Sequence, residues 1–280
     1  MLDVISKSLP LFKNPWTDLG EGMEVLATFL KSSPYVEIEQ VAGRYSIKTA
    51  NRLDEFHKIF KFRHDIFVGE CHASTPHESI DLDEFDAICD HIIIQETRTG
   101  EIVGYYRVLS SAFTNQYYSE NEFDLDSFKK LSGNKLELGR ACIHPEHRNG
   151  QVLSLLWKGI GQYCLDTETR YLFGCSSVHS KSTQLAHQIY HYFAEKGVLS
   201  KELRVTPIGD FKMNVHFERH PHIYDREFAM KSVPALLKSY ISAGAVIAGA
   251  PALDREFSCL DFMTILDLER LSPGFKRRYF

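Results

Sequence analysis

Guanidinium and carboxylate groups are residue types whose chemistry could act together on a substrate in this chain. The candidates are three arginines and three carboxylates: Arg63, Arg107, Arg140, Asp83, Asp86 and Glu137. An unpaired buried charge is costly, so we expect these six to balance one another in a partly buried ionic network. A carboxylate there can accept a proton as a general base, and a guanidinium can clamp a substrate carboxylate with two hydrogen bonds. The alternative is that the six charges only stabilise the fold.

Glu137 and Arg140 lie three residues apart in a predicted strand, so strict alternation would send them to opposite faces of the sheet. Gly139 between them permits a β-bulge that brings both side chains to one side. Such a bulge would leave backbone N–H groups between Gly139 and Cys142 free to stabilise an oxyanion. The Cys142 thiol has no clear base partner, and we interpret it as inert.

A second candidate site follows directly. The segment LELGRACIHPEHRNGQV, residues 136–152, predicts a strand, a tight turn over Arg148–Gln151 and a helix that begins there. The N-terminus of a helix offers unpaired N–H groups and a positive dipole end, which suit a phosphate group. Gly150 lets the backbone approach a ligand closely. The alternative is an ordinary loop between a strand and a helix.

Hydrophobic periodicity predicts the elements that position these residues. A strand at residues 45–50 precedes a helix with Asn51 as its candidate N-cap. The apolar face of that helix contains Leu53, Phe56, Phe60, Arg63 and Phe67, and we expect a carboxylate partner for Arg63. Further strands are predicted at 91–96, 100–109, 136–144, 171–178 and 259–268, and helices at 151–167, 184–196 and 233–241. The order predicts an α/β fold with a central mixed sheet flanked by helices.

Composition narrows the class of protein. The chain has 280 residues, and its 32 Lys and Arg against 37 Asp and Glu give a net charge of −5, which does not favour a nucleic-acid surface. No apolar run reaches the roughly 18–20 residues that span a bilayer, and the first residues lack the pattern of an export signal. The six cysteines never form a CxxC pair, which favours reduced thiols, a cytoplasmic location and no metal site.

Several segments taken together resemble a known family. They are FRHDIF, DEFD, CDHIII, VGYYRVL, EFDL, ELGRACIHPEHRNG, LLWKGI, YLFGCSSV and FSCLDFMTILDLERL. They resemble the ornithine lipid branch (L-ornithine N-alpha-acyltransferases) of the GNAT superfamily, which is related to acyl-homoserine lactone synthases. The resemblance implies a GNAT-like domain over residues 44–280, with a core to about residue 180 and a C-terminal α/β elaboration from about 181. Residues 1–43 carry none of it, and the spacing of Met23, Leu26, Phe29 and Leu30 predicts a helical extension there.

The resemblance also implies an activity. Members of this branch transfer a long 3-hydroxyacyl chain from acyl carrier protein to the α-amine of ornithine, which gives lyso-ornithine lipid. The donor is an acyl-phosphopantetheine, and no permanently bound cofactor is expected. Since the product is amphiphilic, we expect a cytoplasmic protein with peripheral contact to the inner membrane.

The same resemblance, with the residue chemistry, implies a role for each candidate residue. We expect catalytic roles for Glu137, Asp83 and Arg140, with Glu137 as first candidate base and Asp83 as second. We expect Arg63, Asp86 and Arg107 to bind substrate, and one of Arg63, Arg107 and Arg140 to clamp the carboxylate of the amino acid. We expect the phosphopantetheine arm to lie against Arg148, Asn149, Gly150, Gln151 and Val152. The acyl chain could occupy a tunnel, with core packing as the alternative, at Trp157, Phe173, Phe211 and Phe217.

Three other functions stay open at this point. The acceptor could be glycine, another amino acid or an amine. A synthase of acyl-homoserine lactone signals is disfavoured because the stretch VGECHASTPHE after the first helix contains no Trp. A module that only binds acyl carrier protein or lipid is disfavoured because it would have no chemical need for Glu137, Arg140 and the Arg148–Gly150 turn.

Overall fold

The computed structural model describes residues 33–71, 80–217 and 224–280. The strands are β1 Glu39–Ala42, β2 Tyr45–Thr49, β3 Asp90–Glu96, β4 Ile102–Ser110, β5 Phe123–Asp124, β6 Asn134–Ile143, β7 Thr169–Val178, β8 Thr206–Pro207, β9 Val246–Ile247, β10 Ala252–Asp254 and β11 Cys259–Asp267. The α-helices are α1 Leu53–Cys71, α2 Asp126–Lys129, α3 Gln151–Asp166, α4 Thr183–Glu195, α5 Arg226–Ser232, α6 Ala235–Ala243 and α7 Pro273–Tyr279. The predicted helix around Met23–Leu30 lies outside the described residues.

One large sheet organises the described part of the chain. Its strand order is β1-β2-β3-β4-β6-β7-β11-β10, and β9 also pairs with β11. Only β6 and β7 run parallel within this sheet, as expected for two strands joined by a crossover helix. β5 and β8 form a separate two-stranded sheet. The predicted α/β class with a central mixed sheet is confirmed.

Helices cover both faces of the sheet, because the side chains of the central strands alternate between two apolar clusters. In β3, Ile92 and Ile94 pack in the same cluster as Leu156 and Ile160 of α3. Ile93, between them, packs with Phe60 of α1 on the opposite face. Two faces buried in this way explain why β3 reads as an unbroken apolar run. The helices thus cover a sheet that has β4 and β6 at its centre.

Local contacts explain how the two central helices begin. The Glu55 carboxylate accepts hydrogen bonds from the backbone N–H groups of Asn51 and Arg52, at 3.1 and 3.3 Å, at the start of α1. The prediction that Asn51 is the N-cap is wrong, since α1 begins at Leu53 and the carbonyl that accepts from the N–H groups of Glu55 and Phe56 at its start is that of Arg52. Gly150 precedes α3 with φ of 86°, in the left-handed region that favours glycine.

The elements that carry the candidate residues were predicted correctly. The strands β2, β3, β4, β6, β7 and β11 and the helices α1, α3, α4 and α6 lie within a few residues of the predicted positions. Residues 39–42 lie in the segment assigned to the N-terminal extension, and they form β1, which pairs with β2 of the predicted domain. The boundary at residue 43 stays a prediction.

Candidate active site

The two parallel strands separate at the middle of the sheet and leave an opening there. Their pairing stops at Glu137 and Phe173, although both strands continue beyond these residues. Gly174 follows at the point of separation, where an added Cβ would lie 2.3 Å from the carbonyl oxygen of Leu138. A cavity of about 630 Å³ occupies the opening and is lined by the second half of both strands. From Leu138 onward, the edge of β6 that faces β7 is thus free of strand pairing.

A β-bulge in β6 directs two candidate residues into this cavity. Arg107 of β4 pairs with Gly139 and Tyr105 pairs with Cys142, so β6 holds one more residue than β4 between these pairs. The predicted bulge is confirmed, but the residue in the left-handed region is Arg140, with φ of 52°, rather than Gly139. Glu137 and Arg140 both line the cavity, as the bulge predicts.

Three arginines and three aspartates form a closed ring of ion pairs beside the cavity. Each arginine contacts two aspartates and each aspartate two arginines, in the order Arg63, Asp81, Arg140, Asp83, Arg107, Asp86 and back to Arg63. The six N···O distances along this order are 2.7, 3.1, 3.0, 2.6, 3.2 and 2.6 Å. The charges cancel, which reduces the cost of burying them.

The ring corrects one part of the predicted network. Its third carboxylate is Asp81, which the sequence analysis did not single out, and Glu137 lies outside it. The prediction that Arg63 has a carboxylate partner is confirmed twice over, because it contacts both Asp81 and Asp86. Arg63 and Asp86 are fully buried in the ring and do not line the cavity.

Local structure places the aspartates. DEFD forms a 3₁₀ turn in which the Asp83 carboxylate accepts from the N–H of Phe85 and the Asp86 carboxylate accepts from the N–H of Asp83. This reciprocal arrangement is a capping box, and it fixes both carboxylates towards Arg107. Arg107 and Arg140 hold the pKa of Asp83 well below its usual range, although burial opposes them. Of the three arginines, Arg140 is the most exposed, at 11% of its side chain.

Glu137 is held by main-chain donors instead of by an arginine. Its carboxylate accepts hydrogen bonds from the N–H groups of Tyr118 and Ser119, both at 2.8 Å, and from the Ser119 hydroxyl at 2.5 Å. These donors belong to the start of a 3₁₀ turn, Tyr118–Asn121. Burial raises the pKa of Glu137, while the hydrogen bonds and the charge of Arg107 oppose the rise. A buried carboxylate with a raised pKa is a stronger base than an exposed one.

The predicted phosphate-binding turn lies at another side of the same cavity. Arg148 and Gly150 line the cavity, and the Arg148 Nε donates to the carbonyl of Ile143 at 3.0 Å. The Asn149 side chain accepts from the N–H of Gln151 and so occupies one of the free donors at the helix start. Val152 is fully buried and packs against Gly104, where an added Cβ would lie 2.5 Å from it.

Apolar side chains form the rest of the cavity wall. Trp157 of α3 and Tyr240 of α6 meet edge to face, with ring centroids 5.8 Å apart, and both line the cavity with Leu153, Leu237 and Leu266. Phe173 lines it too, as predicted. Phe211 and Phe217 do not line the cavity and pack in apolar clusters, which is the core-packing alternative.

The sequence analysis missed a second group of acids at the cavity. Glu122, Asp254 and Asp261 are each no more than 5% exposed and line the same space. Glu122 lies in EFDL and Asp261 in CLDFMTILDL, so both lay in segments that carried the family resemblance. The available signal was a single acid inside a long apolar strand, since a lone buried charge calls for a reason.

Comparison with known proteins supports the resemblance. Residues 62–158 match the acetyltransferase (GNAT) domain. A protein of Rhodobacter capsulatus named L-ornithine N(alpha)-acyltransferase is 28% identical over 252 residues, which cover 84% of this chain and 94% of that protein. A protein of Brucella abortus with the same name is 28% identical over 277 residues, which cover 92% and 96% of the two chains.

Solved structures also align with the chain. The AHL synthase LasI aligns with a TM-score of 0.47 at 14% identity, over 88% of this chain and 96% of that one. FeeM, an N-acyl amino acid synthase from uncultured soil microbes, aligns with a TM-score of 0.47 at 10% identity, over 85% and 96%.

Proposed function

We propose that this chain, an acyltransferase with a GNAT domain, transfers a long-chain (3-hydroxy)acyl group from acyl carrier protein to the α-amine of ornithine, giving lyso-ornithine lipid. The observation that carries the proposal is the cavity of about 630 Å³ between β6 and β7. It joins a helix N-terminus, a buried carboxylate and an apolar wall, which suit a phosphopantetheine arm, an amine and an acyl chain respectively. The names of the curated relatives support ornithine as the acceptor.

The reaction needs a base and a site for a developing oxyanion. The amine nitrogen attacks the thioester carbonyl carbon, a C–N bond forms and the C–S bond breaks. Of the three protons on the starting ammonium, one stays on the amide, one goes to the leaving thiolate and one is released to solvent. Glu137 accepts the proton that the ammonium loses before attack, directly or through a water. Backbone N–H groups between Gly139 and Cys142 stabilise the oxyanion.

We assign the base to Glu137 rather than to Asp83. Both oxygens of Asp83 are paired with guanidinium groups, which makes that carboxylate a weak base. Arg140 lines the cavity, and its Nε and Nη2 are bound by the ring. It therefore presents an oriented positive charge to the carboxylate of the acceptor. In this proposal Arg63 and Asp86, which do not line the cavity, act as positioning residues of the ring, and Arg107, which lines the cavity, contacts the substrate.

The donor end of the cavity favours a tethered thioester. The N-terminus of α3 and Arg148 provide donors for the phosphate of a phosphopantetheine arm that enters beside Gly150. The apolar side chains beyond, Trp157, Leu237 and Leu266 among them, would receive the acyl chain. An acyl chain longer than a few carbons is needed to occupy this wall.

The test is turnover of 3-hydroxyacyl carrier protein with a panel of amino acids, followed by free-thiol release and mass spectrometry of the products. We expect release that depends on ornithine, and a loss of about 100-fold to 10,000-fold in kcat for Glu137→Gln. Glu120→Gln is the matched control, because Glu120 accepts from the N–H of Tyr117 in the same turn but lies outside the cavity lining.

Other outcomes would replace the proposal in defined ways. Release with glycine or an amine would keep the reaction and change the acceptor. Formation of a lactone would indicate a signal synthase. A folded protein that releases no thiol with any acceptor would indicate a binding module.

We propose in addition that the enzyme works at the membrane surface, because its product is amphiphilic. No helix in the described part of the chain is long and apolar enough to cross a membrane. Flotation with anionic liposomes tests this. Recovery of the protein entirely in the unbound fraction would contradict it.

A further inference from the structure

Three buried carboxylates line the cavity on the side formed by β10 and β11. Asp261 accepts hydrogen bonds from the Ser177 hydroxyl at 2.5 Å and from the Cys259 thiol at 3.1 Å. Asp254 accepts from the N–H groups of Glu256 and Phe257. The third acid, Glu122, is 2% exposed, and its Oε2 has no hydrogen-bond partner among the described residues.

These acids differ from those of the ring in forming no ion pair among the described residues, although the charge of Arg140 acts on Asp261 and opposes the rise in its pKa. Within the described residues, no lysine or arginine forms an ion pair with Glu122, Asp254 or Asp261. Burial, followed by the charges of the other two acids, raises the pKa of Glu122 well above its usual range. Burial also raises the pKa of Asp261. A buried carboxylate without an opposite charge beside it is costly, and a bound cation would supply that charge.

We infer that Glu122, Asp254 and Asp261 form the subsite for the side-chain ammonium of a diamino acid acceptor. The inference rests on the proposed function and adds to it the means of choosing the acceptor. Glu122 and Glu137 line the same cavity, and the backbone N–H of Glu122 donates to the carbonyl of Ser119, whose own N–H and hydroxyl hold Glu137. One end of a short diamino acid can then meet Glu137 while the other end meets Glu122.

The chemistry of the cluster favours an ammonium over a metal ion. Ligand atoms of Asp254, Cys259 and Asp261 lie within 4.8 Å of one another, a spacing that a divalent cation could also use. The Cys259 thiol, however, donates its hydrogen to Asp261, and burial raises its pKa. A metal ion would have to displace this proton, because the thiolate is the form that binds a metal, whereas an ammonium displaces none. An ammonium requires only acceptors, and the free Glu122 oxygen provides one.

The subsite predicts discrimination against neutral amino acids. Norvaline has the carbon chain of ornithine without the terminal amine, so it would leave the three acids without their cation. We expect the wild-type enzyme to prefer ornithine over norvaline by about tenfold to a hundredfold or more in kcat/KM. An enzyme that selects its acceptor by shape alone would accept both.

The experiment compares Glu122→Gln with wild type and with Glu202→Gln, an exposed acid that pairs with Arg270 on the surface. Kinetics with ornithine and norvaline are measured with and without EDTA. Thermal unfolding and calorimetric binding are measured with both amino acids. We expect Glu122→Gln to lose most of the ornithine preference through a higher KM and to have a higher Tm without ligand. Asp261→Asn is the second variant and should lose the same preference.

The outcomes separate this inference from the proposed function. Ornithine binding that depends on Glu122, in a protein that acylates no amino acid, would support the subsite and refute the activity. Equal use of ornithine and norvaline by the wild type would support acyl transfer and overturn the subsite. Loss of the preference in EDTA would overturn it in favour of a metal site.

Discussion

Asp81 joins two arginines of the ring, and replacing it should cost far more stability than replacing an exposed aspartate. Its carboxylate bonds to Arg63 at 2.7 Å and to Arg140 at 3.1 Å. Arg63 is fully buried, and its Nη2 already has no hydrogen-bond partner among the described residues. In Asp81→Asn the ring carries a net positive charge. The NH2 group of the new amide is also a hydrogen-bond donor, so it cannot accept from the N–H groups of Arg63 or Arg140.

The expected loss follows from the burial of the pair. Removing one partner of a buried ion pair costs about 3 to 5 kcal/mol. For a chain of this size that corresponds to a fall in Tm of roughly 6 to 20 °C. The matched control is Asp54→Asn, whose exposed pair with Arg52 should contribute little to stability because solvent screens it. Denaturant unfolding of both variants beside wild type measures the difference. If Asp81→Asn lost no more stability than Asp54→Asn, the ring would not be a source of stability.

Three further variants test other parts of the structure. Gly174→Ala should force β6 and β7 apart, since its Cβ would lie 2.3 Å from the Leu138 oxygen; we expect a loss of about 1 to 3 kcal/mol and reduced turnover. Gly150→Ala meets no atom within 4 Å but keeps φ of 86°, so about 1 to 2 kcal/mol of strain should appear as a lower Tm and a higher KM for the acyl donor. Burial lowers the pKa of His91 to about 4 from 6.5. Between pH 6.5 and 4, His91 is therefore protonated in the unfolded chain and neutral in the folded protein. The free energy of unfolding should fall as the pH drops through this range. When the free energy of unfolding is measured by denaturation over this range, its slope against pH should be smaller for His91→Gln than for wild type. An unchanged slope would refute the assignment of this pH dependence to His91.

Local pattern predicted most of the regular elements. The apolar runs of β3, β4 and β7 and the spacing along α1 and α3 were sufficient, because periodicity records which face each element buries. The short strands β5, β8 and β9 have two residues each, too few to show alternation. Their positions depend on tertiary packing.

The site was predictable where its residues share one element or one turn. The bulge between Glu137 and Arg140 followed from Gly139, although the strained residue proved to be Arg140. The hydrogen-bond partners of Glu137 could not be predicted, because they are backbone N–H groups of the Tyr118–Asn121 turn. Every residue type except proline has such a group, so the side chains in the turn do not reveal it. Likewise, Glu122 and Asp261 line the same cavity only because the chain returns to the sheet more than a hundred residues later.

That return has a consequence for synthesis of the protein. β7 ends at Val178, and β11, the strand that covers its outer edge, begins only at Cys259. At roughly 5 to 20 residues per second, a ribosome needs about 4 to 16 s to make the intervening stretch. During this time the nascent chain holds a long apolar strand with an unpaired edge, a template for pairing with other chains. The same late strand that brings Asp261 to the cavity therefore leaves the unfinished sheet open to aggregation until β11 has been made.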